Sequence, residues 1–183
     1  MRTIILSTLL AAASLYGDCQ YTTHTSKVTW KAFKTYEKIG VGGTFDTSRM
    51  VSKTSSSVDT LLSGSTIAIE TLSVNSGNPG RDATLGKAFF KAQNVESIHA
   101  KIQSAKEGKA MVEITMNGIN RVIPMTYAVS GNTVTGKGVI DLADFGMLES
   151  LSSINKACFD LHAGKTWQDV EIGFEIQLDQ KCS

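Results

Sequence analysis

Apolar and polar residues alternate along most of the chain with a period of two, the signature of half-buried β-strands. In SKVTWKAFKT, Val28, Trp30 and Ala32 fall on one face and Lys27, Thr29 and Lys31 on the other. In KAMVEITMNG, Ala110, Val112, Ile114 and Met116 alternate with Met111, Glu113 and Thr115. RVIPMTYAVSG places Ile123, Met125, Tyr127 and Val129 on one side. The cleanest run is VEIGFEIQL, with Val170, Ile172, Phe174, Ile176 and Leu178 set against Glu171, Gly173, Glu175 and Gln177. Weaker alternation runs through STIAIETLSV, SIHAKIQSA and NTVTGKGVIDL, and VGGTFD around Phe45 reads as a further short strand. The pattern predicts about eight strands, with turn pairs such as Asn117-Gly118 and Gly131-Asn132 between them. Many short antiparallel strands, each with one apolar face, form a sandwich or a barrel.

Three stretches break the period. SSSVDTLLSG predicts a short helix, with Ser56 and Asp59 spaced as a capping box. GRDATLGKAFFKAQ predicts a second helical turn region. From Met147 to His162, Leu148, Leu151, Ile154, Cys158 and Leu161 recur every three or four residues, which predicts one longer amphipathic helix. Gly164 is a natural stop for it. A single such helix in a β-protein covers a sheet face or closes a barrel end.

The N-terminus reads differently. Arg2 precedes an apolar run from Ile4 to Leu15, and the stretch ends on a small residue, Gly17. That order predicts a cleavable secretory signal over residues 1–17 and a mature domain over residues 18–183. The run is shorter than the roughly 20 residues a membrane span needs. Asp18, not a small residue, precedes Cys19, so a lipid anchor on that cysteine is not expected. The whole chain has 18 basic and 17 acidic side chains. Losing Arg2 with the signal leaves the mature chain neutral, which gives nucleic acid or an anionic surface no global field to respond to.

The three cysteines, Cys19, Cys158 and Cys182, are expected in an oxidising compartment, where two of three pair. If the first and last strands are antiparallel neighbours, Cys19 and Cys182 lie side by side. Cys19–Cys158 is the rival pairing.

Candidate chemistry is sparse. His24, His99 and His162 share no zinc spacing with each other or with the cysteines, so no metal is expected. No GxSxG elbow and no phosphate-binding loop is present. Asp141 and Asp144 are explained by a turn or helix start as simply as by acid–base work. Arg81-Asp82 reads either as a local ion pair in a capped turn or as a polar group at a pocket mouth. Large apolar side chains dominate instead, and alternation alone does not separate a filled core from a cavity.

Several segments in order resemble the YceI family of periplasmic, lipocalin-like proteins that bind polyisoprenoid-type lipids. They are SKVTWKAFKT, VGGTFD, GRDATLGKAFF, ITMNGINRVIPMTY, DLADFG and the final amphipathic strand. The resemblance covers nearly all of the mature chain. It departs at Thr84, where many relatives carry histidine, and in the helical stretch from Met147 to His162, which is an insertion relative to the shortest members. The resemblance implies a mainly β, antiparallel, lipocalin-like barrel with a long apolar lumen. Its lining would be Trp30, Phe33, Phe45, Arg81, Leu85, Phe89, Phe90, Met116, Ile123, Met125, Phe145 and Phe174. It further implies a non-catalytic periplasmic carrier for a long apolar ligand of polyisoprenoid, quinone or fatty-amide type. An envelope enzyme acting on such a molecule, or on a redox partner, is the alternative. No cofactor, no nucleic acid and no stable membrane insertion are expected, and homodimerisation is left open.

Overall fold

The computed structural model describes residues 19–162 and 164–182. The expected signal segment and the side chain of His162 lie outside what is described. The chain is mainly β. Its strands are β1 (Cys19–Lys34), β2 (Ile39–Phe45), β3 (Ser48–Val51), β4 (Thr66–Glu70), β5 (Val74–Asn75), β6 (Ser97–Lys106), β7 (Lys109–Met116), β8 (Ile119–Ser130), β9 (Thr133–Asp141) and β10 (Thr166–Cys182). All pair antiparallel in one sheet of order β3-β4-β6-β7-β8-β9-β10-β1-β2-β5.

The count is ten rather than about eight because two long strands are broken. β2 and β3 are separated only by Asp46 and Thr47, and β4 and β5 only by Thr71, Leu72 and Ser73. The breaks face each other: the Asp46 N–H donates to the Ser73 carbonyl (2.9 Å) and the Glu70 N–H to the Thr47 carbonyl (3.0 Å). The sheet's two ends are therefore joined through continuous chain, and the sheet curls into a barrel. A second seam lies at Tyr21, which exchanges backbone hydrogen bonds with Ser55 at 2.8 and 3.1 Å.

The predicted alternation is what points the side chains inward. On β7, Ala110, Val112, Ile114 and Met116 are buried while Lys109 and Met111 are exposed. The β7–β8 hairpin turns at Asn117 and Gly118, both at positive φ, as a two-residue turn of this twist requires. β1 and β10 pair along nearly their whole length, with Cys19 opposite Cys182. Their sulfurs are bonded and their Cα atoms lie 4.0 Å apart; Cys158 is free.

One barrel end is plugged by helix α1 (Val58–Leu62). Ser57, not Ser56, is its N-cap, accepting from the Thr60 N–H at 3.2 Å. Leu61 and Leu62 are driven fully inside. The Asp59 carboxylate accepts hydrogen bonds from the Tyr127 hydroxyl and from the Glu107 N–H (3.2 Å). Burial, and then this bond to Asp59, pushes the Tyr127 phenol up to about 12. A raised phenol means that the fold favours the neutral form. The stability Tyr127 contributes is complete below its ordinary value near 10 and is lost as pH climbs towards 12. Alkaline melts should show the wild type losing stability more steeply than Tyr127→Phe between these limits. Parallel curves would refute the assignment.

The other end is roofed by two helical segments. The first is α2 (Pro79–Thr84), capped by the Asn78 side chain and running into a π-helical turn over Leu85–Phe90 and a short 3-10 turn over Lys91–Gln93. The second is a 3-10 turn (Leu142–Phe145) followed by α3 (Leu148–Ala157). Gln93 joins them, donating to the Gly146 carbonyl and accepting from the Ser150 N–H, both at 2.9 Å.

The expected single long helix is in fact two. Backbone dihedrals leave the helical region at Cys158, and a short α4 (Phe159–His162) follows. The break turns the helical stripe off its face. Leu151 and Ile154 are buried and Cys158 is half-buried, but Leu148 and Leu161 are exposed.

Candidate functional site

Between plug and roof the barrel is hollow. An inner chamber of about 170 Å³ is walled by residues of every strand except β3 and by the roof helices. Its wall is almost wholly hydrocarbon, because the strands that line it turn their apolar faces inward. Trp30 donates its indole N–H to the Thr44 carbonyl at 3.2 Å, so its one polar atom is satisfied and turned from the void. Gly43 makes room for that indole, since a Cβ there would stand 2.7 Å from the ring.

The chamber opens through an outer cleft of about 440 Å³ between β1, β2, α2 and the end of α3. Trp30, Ala32, Leu85, Ile154 and Thr166 line both spaces and form the neck. The cleft is the first place where charge appears, with Lys34 and Arg81 on its rim. Of the two readings of Arg81-Asp82, the local ion pair is not formed among the described residues, and Arg81 stands at the cleft. Asp82 is occupied instead by the Ser76 N–H (2.9 Å) and hydroxyl (2.5 Å). Among the described residues, neither Arg81 nor Lys34 has a carboxylate within ion-pair distance.

The sequence-predicted residues divide into three groups. Trp30, Phe45, Leu85, Phe89, Phe90, Met116, Met125 and Phe174 stand on the chamber wall. Phe33 and Arg81 stand on the cleft with Leu85. Ile123 and Phe145 are on neither surface. Both are buried in packed core, Phe145 completely so beneath the 3-10 turn before α3. The lumen is also shorter than the long one expected, because Leu61 and Leu62 of α1 and core residues such as Val134 and Ile176 are packed inside the barrel and do not line it.

Sequence reasoning missed wall residues of two kinds. Ile67, Ile69, Ile98 and Ile140 lie in the weakly alternating strands. Leu151 and Ile154 come from α3, whose periodicity shows an apolar face without showing what it covers. Trp167 is also on the wall. It falls out of phase with the Val170–Leu178 alternation and is held by its indole bond to the Thr35 carbonyl at 2.7 Å.

Cys158 lines the cleft. Burial pushes its thiol up, and nearby Lys34 only partly opposes this. Its thiolate is therefore scarce at neutral pH, and thiolate is the reactive form. Thiol labelling of the native protein should find one slow-reacting group, and labelling after unfolding without reductant should still find one. Three groups without reductant would contradict the Cys19–Cys182 bond.

Among the described residues, no three His, Cys, Asp or Glu side chains are grouped to hold a metal ion. No described helix is long and apolar enough to cross a membrane.

Known structures share this architecture. A polyisoprenoid binding domain from Saccharophagus degradans, implicated in plant cell wall breakdown, aligns with a TM-score of 0.63 at 12% identity, covering 92% of this chain and 100% of that one. BcnA from Burkholderia cenocepacia aligns at 0.56 and 18% identity, covering 84% and 96% respectively. A YceI protein from Campylobacter jejuni aligns at 0.52 and 17% identity, covering 78% and 86%. At these identities the likeness establishes the fold alone. No curated protein sequence matches significantly. The model of the YceI-like domain, however, matches residues 20–178, from the start of β1 almost to the end of β10, and on that match the chain belongs to the YceI-like domain family.

Proposed function

We propose that this protein is a non-catalytic periplasmic carrier that holds one apolar chain molecule, of isoprenoid, quinone or fatty-amide type, inside the barrel. The observation that carries the reading is the polarity profile of the cavity: hydrocarbon on the chamber wall, then, in the cleft that opens from it, two cations without carboxylate partners among the described residues. A tail entering the chamber gains about 0.8 kcal/mol for each methylene removed from water. A polar head left at the cleft would meet Arg81 and Lys34, which donate hydrogen bonds and cannot accept them. The polyisoprenoid-binding description of the Saccharophagus neighbour supports the same reading. The Cys19–Cys182 bond suits an oxidising compartment, and residues 1–17 would be the removed export signal.

The experiment is organic extraction of protein purified from its native envelope, followed by mass spectrometry of the extract. Uptake of added prenols is then followed by quenching of Trp30 and Trp167. A stoichiometric apolar molecule, or saturable uptake, is the expected result. A protein that yields no lipid and takes up none overturns the proposal. N-terminal sequencing of the exported form should begin at or near Asp18; retention of residues 1–17 would rule out signal cleavage.

A further inference from the structure

Among the described residues the apolar chamber stops partway down the barrel, and glycines shape its lower boundary. The chamber's deepest wall residues are Val28, Ile102, Val112 and Phe174. The next inward residue on β10, Ile176, and its β9 register partner Val134 do not reach it and are completely buried. Leu61 and Leu62 of α1 fill the space below them.

Phe174 sits opposite Gly136 in the β9–β10 register. Its ring lies over Gly136 in the volume a Cβ there would need, and Gly138 makes the same kind of recess for Met125. Neither glycine has positive φ, so the backbone does not demand glycine at either position. Space for the neighbouring side chain is the reason that remains.

From this geometry we infer that Phe174, seated in the Gly136 recess, is a floor that limits the length of the bound chain. The inference rests on the carrier reading. It narrows the ligand to a short-tailed class: two or three isoprene units, or a straight chain of comparable length. From Ala32 at the neck to Val28 at the floor is four residues of β1, about 13 Å along the strand and roughly 10 Å along the barrel axis given the strand tilt. An extended chain advances roughly 1.2 Å per bond, so the chamber takes about eight carbons and the cleft a few more. A tail of eight isoprene units has no room below Phe174.

The floor works in both directions. Phe174→Ala vacates the recess and opens space above Val134 and Ile176, so longer tails should enter. Gly136→Ala puts a methyl group into the recess and lifts the ring into the chamber, so only shorter tails should enter. Phe174→Leu is the milder enlargement, should the alanine variant fold poorly.

The test uses the full mature protein and prenyl alcohols of two, three, four and eight isoprene units, measured by co-elution in gel filtration and by tryptophan quenching. Wild-type protein should bind the two- and three-unit alcohols and bind the eight-unit alcohol at least tenfold more weakly. Phe174→Ala or Phe174→Leu should move the optimum to longer chains, and Gly136→Ala to shorter ones. Equal binding of three- and eight-unit alcohols by the wild type overturns the length limit and leaves the carrier reading standing. An optimum unmoved in every variant overturns the role of Phe174. Failure of every chain length to bind overturns the carrier reading itself.

Discussion

Reduction of the Cys19–Cys182 bond is expected to lower the unfolding free energy by about 5 kcal/mol, the upper end of the range for disulfides. The size follows from the loop that the bond closes. The two cysteines are 163 residues apart, so the cross-link restrains nearly the whole unfolded chain. It also ties β1 to β10, the two longest strands, at the point where the termini would otherwise fray. The measurement is urea unfolding of oxidised protein against protein with both cysteines replaced by serine, which avoids reductant effects. A difference under about 1 kcal/mol would show that the termini are held by their strand pairing alone. Cys158→Ser is the internal control. Cys158 is half-buried and unbonded, and its replacement should change stability far less.

Phe145 and Phe89 should respond to alanine in opposite ways, although the sequence presents both as large aromatics beside apolar segments. Phe145 is completely buried and touches neither the chamber nor the cleft. Phe145→Ala leaves a closed void in packed core, costing about 3 to 5 kcal/mol. Phe89 is half-buried on the chamber wall, with its ring edge-on to Phe90 at 5.1 Å between centroids. Its truncation enlarges a space that already exists, so Phe89→Ala should cost only about 1 to 2 kcal/mol. Its effect should show instead in weaker prenol uptake. Denaturant midpoints and uptake isotherms of the two variants separate wall from core. Equal stability losses, with uptake unchanged in both, would mean that the division described above is wrong.

The strands were legible because their chemistry is local. Burying one face of a strand forces a period of two on the sequence. That period marked the runs around Val28, Ile114, Met125 and Phe174, whose inward residues fill or line the barrel, except that Val129, placed on the same face as Tyr127, is exposed at the end of β8 where the core no longer covers it. The hairpin at Asn117-Gly118 was legible for a similar reason, since positive φ at consecutive positions restricts the residues that can turn there. The break at Cys158 was not legible. The apolar spacing continues through it to Leu161, and spacing records which residues could share a face without recording whether a surface exists to receive them. Alternation likewise marked Ile123 and Met125 as inward in the same way, yet only Met125 reaches the void.

What the sequence determined by itself, then, is the strand-rich class, the inward set of residues and the turns between strands, all properties of neighbours along the chain. Three features were decided only by the tertiary structure. β2 and β3 act as one broken strand that brings the sheet's ends together. Lys34 and Arg81 meet at one mouth although they are remote in sequence. Phe174 lies in a recess left by a glycine on another strand. Each depends on the register between segments distant in the chain, and register is fixed by closure of the whole barrel, which no local pattern encodes.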